Sequence, residues 1–396
     1  MERSQRAHWP FTVAKRSALV LFGLALACLL AEVALRILRP VSTVSYTYSP
    51  SHGARLTPSQ NSRFTHGSYI VPITTNSQGF HDVEHSVHKD PSKKRLLLLG
   101  DSFVEALHVP MDDGISRQLE KAFARKAMPP IEVINLGISG NGPSQYYRLL
   151  LEFGLTYSAD IVVVFVTLDN DFMNSAPALS MSPYKTYYRL TADDSLEFQP
   201  ARATPYSLAL KQTLRLSAFF TLLRGSVRTG IFEKWMASLG LASHTDRDSS
   251  EIGIPPSLQL YLRDRPKQWE EAYRITTRMV REIVRASREA GSSVAIVTIP
   301  GVAAIEDRWV EQMAGCARCL EVEWDYHAPE QAIDGVGREL GVPVLHLRPA
   351  FQDQYRRSRT SFSFPHDGHW NSRGHAFAAE IIVDWMRAEE MYSSLN

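Results

Sequence analysis

Cysteine is scarce: the 396 residues hold only three. Two of them, Cys316 and Cys319, stand in "GCARC" with no second pair elsewhere. A structural zinc needs four ligands, so this pair cannot make one. A redox pair would open a helix after a strand in a thioredoxin-like unit, and that context is missing. What remains is a small local disulfide, expected in an oxidising compartment. An excess of charge is missing too: 43 Lys and Arg face 42 Asp and Glu, for a net charge of +1. Phosphate binding needs concentrated Lys and Arg, so nucleic acid is not an expected partner. No internal repeat or long low-complexity tract is present. At 44% hydrophobic and 21% charged, the composition is that of a globular protein, with enough chain for one large domain or two small ones. No spacing of His, Asp and Glu forms a metal set.

The one long apolar run is at the N-terminus. Arg3, Arg6, Lys15 and Arg16 precede it with only Glu2 against them. "SALVLFGLALACLLAEVALRIL", residues 17–38, then has about the length that crosses roughly 30 Å of hydrocarbon. A removable signal would have a shorter apolar core and a small-residue cleavage site, so an uncleaved anchor is the preferred reading. The basic residues place 1–16 in the cytoplasm and the rest outside, in a periplasm if the cell has one. Glu32 and Arg36 fall in the last turns, near an interface where charge is tolerable. Cys28 reads as a membrane-buried residue. Residues 39–92 are polar and turn-rich, a linker that then packs on the domain, with "TTNSQGFHD" as a turn at Gly79. His81 and His85 read as solvated loop residues.

From residue 93 onward the pattern changes. "RLLLLG", "IEVINLG", "DIVVVFVTL", "SSVAIVTI" and "VPVLHL" are continuous apolar runs. Amphipathic stretches such as "DDGISRQLEKAFARKA" and "PKQWEEAYRITTRMVREIVRASREAG" alternate with them. That alternation predicts an α/β fold, a doubly wound three-layer sandwich with about five parallel strands. The predicted domain covers residues 93–396, with an insertion at about 175–264. The insertion offers a hairpin in "YKTYYRLTADDSLEFQP" and one apolar helix in "YSLALKQTLRLSAFFTLLRG". That helix could pack on the core, meet a partner or lie against the membrane, and packing on the core is the commonest fate.

In open parallel sheets, ligands bind beyond the carboxyl ends of the strands. Ser102 follows the first strand, "NLGISGNG" the second and "TLDNDF" the third, while "FPHDGHWN" precedes the last helix. These polar interruptions should share one rim. A serine nucleophile needs a base, a group to orient that base, and donors for the oxyanion. His366, Asp367 and His369 offer the base and its partner. The Ser102 amide, the Gly140 amide and the Asn170 side chain offer donors. Ser102 could instead merely cap the helix it opens.

"GDSF", "NLGISGNG", "DNDF" and "DGHWN", in that order, resemble the four blocks of the SGNH/GDSL hydrolase superfamily. The resemblance runs from Arg95 to Met386 and leaves the insertion unmatched. It implies Ser102 as nucleophile, His369 as base and Asp367 as the acid that orients it. It also implies an oxyanion hole from Ser102, Gly140 and Asn170. The Asp-x-His-Trp form, one residue shorter than the common Asp-x-x-His, is similar to a branch that includes proteins of polysaccharide O-acetylation. With that spacing Asp169 or Asp171 could orient His369 in place of Asp367. Asp169 also stands where the superfamily usually has glycine. His375 and Trp370 read as structural. The resemblance implies an extracytoplasmic, membrane-anchored serine esterase acting on O-acyl, above all O-acetyl, esters of a polysaccharide, with no cofactor. An O-acetyltransferase, fed by a membrane partner that supplies the acyl group, would use the same residues. A non-catalytic glycan-binding or assembly protein is the reading from another class.

Overall fold

A computed structural model describes residues 8–38, 41–66, 69–226, 244–245, 253–306, 313, 316–365 and 367–391. Parts of the expected cytoplasmic segment, linker and insertion lie outside these residues, and so does His366.

Helix α1, His8–Leu38, is mostly apolar, with Lys15 and Arg16 before its long apolar run and Glu32 and Arg36 near its end. Its stretch Ala14–Leu38 is long and apolar enough to cross a membrane. The polar segment after it is more than a linker. It forms two antiparallel hairpins, β1 Tyr46–Ser49 with β2 Gly53–Leu56, and β3 Asn61–His66 with β4 Tyr69–Thr74. Val44, Leu56, Val71 and Ile73 gather there around Leu107 of the domain.

The domain follows the expected alternation. Strand β5, Lys94–Leu99, leads through the short α2, Ser102–Glu105, to α3, Ile115–Arg125. Next come β6 Ile131–Asn135, α4 Pro143–Glu152, β7 Ile161–Thr167 and α5 Asp171–Ser175. In the insertion, β8 Tyr187–Leu190 pairs with β9 Leu196–Gln199 as expected. The single apolar helix does not form. The chain breaks at Leu216–Ser217 into α6, Pro205–Arg215, and α7, Ala218–Ser226. The second half adds α8 Lys267–Glu289, β10 Ser293–Ile299, α9 Ala328–Leu340 and β11 Val344–His346. Helix α10, Arg348–Ser358, has no counterpart in the sequence reading, and α11, Ser372–Ala388, closes the fold. Cys316 and Cys319 are disulfide-bonded.

The five strands β5, β6, β7, β10 and β11 make one parallel sheet in the order β11-β10-β7-β5-β6. The order reverses between β5 and β7, and in such sheets this switch point opens a crevice at the carboxyl ends. The four leucines of β5 are each fully buried. Successive strand residues face opposite sides. Leu96 and Leu98 therefore join one core with Leu119, Phe123 and Ile382, and Leu97 and Leu99 the other with Tyr146, Trp269 and Ile283. Each such side chain contributes roughly 1.5–3 kcal/mol on burial.

Two histidines correct the sequence reading. His81 is buried and bonds the Glu105 carbonyl at 2.8 Å. The His85 side chain is also enclosed, between Asp82 at 3.0 Å and Glu132 at 2.7 Å. The segment is polar, yet a buried arginine ties it down. Arg95 donates to Glu132 at 2.7 Å and to the carbonyls of Ser86 and Tyr157 at 2.6 and 2.7 Å. Arg95→Met would leave the buried Tyr157 carbonyl without this donor and Glu132 with His85 as its remaining partner, at a cost of about 1–3 kcal/mol. Chemical denaturation should show that loss against wild type.

Candidate active site

The buried strand β5 ends at Leu99, and the helix that follows is opened by Ser102. Asp101 caps that helix, accepting from the Phe103 amide at 3.0 Å. It is wholly buried, and it also accepts from the Thr167 hydroxyl at 3.0 Å and the Asn170 side-chain amide at 3.1 Å. Asp101 therefore stitches the end of β5 to the end of β7 across the switch point. Burial pushes its carboxyl up, against the hydrogen bonds it accepts.

Ser102 Oγ lies 2.7 Å from His369 Nε2. His369 Nδ1 lies 2.5 Å from Asp367 Oδ1. The shortened spacing works because Gly368 adopts φ +85°, a conformation that costs glycine little. The turn is closed by the Phe364 amide, which donates to the His369 carbonyl at 2.8 Å, and the side chains of residues 367 and 369 converge. Asp169 and Asp171 are engaged elsewhere. Asp169 accepts from Tyr261 Oη at 2.6 Å, and Asp171 from the Thr167 amide at 3.0 Å and Tyr146 Oη. Asp169, where glycine is usual, thus turns toward Tyr261. Burial pushes both carboxyls up.

The expected oxyanion donors sit on the same rim. Among the described residues, neither the Ser102 amide nor the Gly140 amide donates to a protein acceptor. Gly140 has φ +73° in the turn after β6. Asn170 uses one hydrogen of Nδ2 on Asp101, which leaves the other, since an amide nitrogen carries two. Glu105 positions the Gly140 turn: it is wholly buried and accepts from the Ser139 amide at 2.9 Å and from the Ser139 hydroxyl. His375 is buried, and Trp370 packs against Phe103 and Phe351.

Three site residues escaped the sequence reading: Tyr69, His66 and His108. Tyr69, on the second hairpin, donates its hydroxyl to Asp367 Oδ2. His66 Nδ1 stands 3.4 Å and His108 Nε2 3.7 Å from the same oxygen. The His108 ring stacks on His369 with centroids 3.8 Å apart and planes 13° apart. Burial, then the proximity of His369, pushes His108 down to about 3. It is therefore neutral near pH 7 and adds no second positive charge against a protonated His369. Burial alone would raise Asp367, but hydrogen bonds with His369 and Tyr69 hold it well below the usual carboxylate range. The signal for the hairpin was present: Gly67-Ser68 between "NSRFTH" and "YIVPIT" is a two-residue turn dipeptide between strand-like runs.

His108, Asp367 and His369 are also the one group among the described residues whose donor atoms could gather on a metal ion. Both nitrogens of His369 are already committed, to Ser102 and to Asp367, so the set fits a proton relay and not a metal site.

The sheet order and the four blocks on one rim decide the architecture. It is a doubly wound α/β sandwich, the architecture that the SGNH resemblance implies. No protein-family model matches the chain, nor does any curated protein sequence. Solved structures align with about three quarters of the chain at low similarity. An acetyl xylan esterase shares 14% identity, with 74% of this chain and 98% of that one covered, at a TM-score of 0.38. A lipase/acylhydrolase from Enterococcus faecalis shares 12%, with 75% and 96% covered, at 0.37. An acetylxylan esterase from Geobacillus stearothermophilus shares 12%, with 74% and 93% covered, at 0.38. These likenesses are weak, and the reading of the site rests on its own geometry.

Two outcomes are expected. Tyr69→Phe leaves Asp367 Oδ2 without its hydroxyl donor and should lower kcat on a model ester about tenfold with little change in KM, read by steady-state kinetics. Glu105 provides a pH test. Burial pushes its carboxyl from 4.5 up to about 7. Between those values the unfolded chain has lost the proton that the folded chain keeps, so stability falls as pH rises through this window. Wild type should lose about 3 kcal/mol relative to Glu105→Gln between pH 4.5 and 7, measured by denaturation across that range.

Proposed function

We propose that this chain is a membrane-attached, extracytoplasmic serine esterase that removes O-acyl groups, foremost O-acetyl, from a polysaccharide. The observation that carries the reading is the unbroken chain of hydrogen bonds from Asp367 through His369 to Ser102. Ser102 Oγ attacks the ester carbonyl while its proton passes to His369 Nε2. Asp367 fixes the ring through Nδ1–H and stabilises the imidazolium. The oxyanion accepts from the Ser102 amide, the Gly140 amide and the second Nδ2–H of Asn170. When the tetrahedral intermediate collapses, His369 returns its proton to the leaving alcohol oxygen. Water, deprotonated by His369, then attacks the acyl-enzyme and releases the carboxylic acid and Ser102. No step calls for a cofactor. The apolar α1 supports membrane attachment, and the Cys316–Cys319 disulfide supports an oxidising compartment. The carbohydrate substrate is supported by the Asp-x-His-Trp form of the last block.

The test is turnover of p-nitrophenyl acetate by the full chain in detergent. Ser102→Ala should lose at least ~1,000-fold in kcat. Undiminished turnover in that variant would refute the serine mechanism. Acetyl transfer to added glycan in excess of hydrolysis would convert the esterase reading to a transferase at the same site.

A further inference from the structure

A surface helix of a water-soluble domain turns its charges outward and its apolar residues inward. Helix α6 does the reverse. Its cations lie against the protein: Lys211 Nζ is 3.9 Å from the centre of the Tyr184 ring, and the Arg215 guanidinium is 4.9 Å from that of Tyr46. Its exposed side carries Tyr206, Ala209, Thr213 and Leu216. These recur every three or four residues and so share one face. Across the break, Phe219 and Leu222 of α7 extend the stripe. Tyr206 is 77% exposed, and Leu216, Phe219 and Leu222 are 42%, 39% and 38% exposed. From Pro205 to Leu222 every exposed residue is uncharged. The stripe's two exposed threonines do not need water either. The Thr213 hydroxyl donates to the Ala209 carbonyl at 2.9 Å, and the Thr221 hydroxyl to the Ser217 carbonyl at 2.8 Å. Both are satisfied inside their own helix.

The stripe is continuous with the membrane-length helix. Leu216 and Phe219 face Cys28 and Leu29 of α1 across an open cleft. Leu29 stands nine residues before the end of α1 at Leu38, about 14 Å along the axis at 1.5 Å per residue. The stretch Ala14–Leu38 has 25 residues, about 37 Å, against roughly 30 Å of hydrocarbon. Even if all of that excess protrudes on the domain side, the level of Leu29 and Phe219 lies about 6 Å inside the apolar layer. The break itself fits such a place. Lipid offers no partner to free backbone groups, and here protein supplies them. Glu32 accepts from the amides of Ala218 and Phe219, and Arg36 donates to the Leu216 carbonyl. The two charges also answer each other at 2.7 Å.

We propose that α6 and α7 form a second membrane contact, lying beside α1 in the leaflet on the domain side with lipid acyl chains covering the stripe from Leu216 to Leu222. Tyr206, at the far end of α6, has the amphipathic ring suited to the headgroup level. The proposal rests on the membrane attachment of α1 read above and not on the esterase chemistry. It gives the insertion a role: the domain is seated on the bilayer by three helices and does not swing on one. The cations of α6 face inward because their outward positions would lie in or near hydrocarbon, where charge is expensive.

Spin labelling of the full chain in vesicles of phosphatidylcholine and phosphatidylglycerol tests it. Cys28, the free cysteine, is first replaced by serine. Single labels are then placed through Phe219→Cys, Leu216→Cys, Leu24→Cys in α1 and Ala192→Cys in the acidic turn between β8 and β9. Oxygen, which collects in lipid, and a water-soluble nickel chelate compete to relax each label. The oxygen-to-nickel ratio at Phe219 and Leu216 should exceed that at Ala192 at least about fivefold and approach that at Leu24. Should one of the two stripe variants fail to fold, the other carries the same comparison. A lipid-like ratio at Leu24 with water-like ratios at Phe219 and Leu216 overturns the proposal and leaves the attachment of α1 standing. Stripe labels shielded from both relaxants overturn it in favour of a protein cover, and loss of that shielding on dilution with lipid identifies the cover as a second copy. A water-like ratio at Leu24 strikes the attachment of α1, and the proposal falls with it.

Discussion

A carboxylate that orients a catalytic imidazole must be ionised, immobile and largely shielded from water, and burial opposes the first of these. Asp367 meets the three conditions because both of its oxygens are held. His369 occupies one and the Tyr69 hydroxyl the other, with His66 and His108 close by. The sheet cannot supply that second set of partners, since none of its strands reaches Asp367 Oδ2. They come from the hairpin before the domain and from the loop after α2. The segment between α1 and the sheet is therefore part of the site. Its Val44, Leu56, Val71 and Ile73 core seats it on Leu107, next to His108, and so fixes Tyr69 over the aspartate.

The rim itself depends on a different set of buried acids. Asp101 joins the serine turn to Asn170, Glu105 joins it to the Gly140 turn, and Asp171 fastens the end of β7. Each accepts backbone or side-chain donors in a place that favours the protonated carboxyl. Such groups add little net stability, and their use is positional. A loop fixed by a carboxylate with several donors has one arrangement. A loop packed only by apolar contacts would have several of similar energy. The proposed reaction needs its oxyanion donors in place before charge develops, and the three buried acids around Ser102 supply that fixity.

Much of this was legible in the chain. The five strands were readable because each is a continuous apolar run buried on both faces. The grouping of Ser102, Asp367 and His369 was readable because their blocks stand where polar residues interrupt the apolar pattern at the ends of elements. What escaped was what depends on tertiary partners. Helix α10, "RPAFQDQYRRS", carries one buried apolar anchor, Phe351, so its pattern is too polar to announce a helix. His85 is enclosed by Asp82 and Glu132, with Arg95 on the same Glu132, and His81 is held by the Glu105 carbonyl, partners that the local sequence pattern does not announce. Tyr69 looked like any strand residue. Its contact exists only because the turn at Gly368 brings Asp367 to it.

The break between α6 and α7 shows the same dependence from the other side. Glu32 and Arg36, charged residues at the end of an apolar helix, read as interface residues of an anchor. In the fold they also have partners. Glu32 accepts from Ser217 Oγ and from the amides of Ala218 and Phe219 at 2.8–2.9 Å, so it caps α7 from another helix. Arg36 bonds both Glu32 and the Leu216 carbonyl at 2.7 Å, and thereby satisfies the end of α6. One ion pair thus closes the exposed backbone on both sides of the break. Helix α6 carries Lys211 and Arg215, and its Gln212 reaches the Tyr46 carbonyl on the first hairpin. The apolar helix, α6 and the hairpin segment that completes the site are consequently joined by short polar contacts. A displacement of α1 relative to the domain would reach α6 before it reached the sheet. The insertion is therefore placed to fix the distance between α1 and the rim.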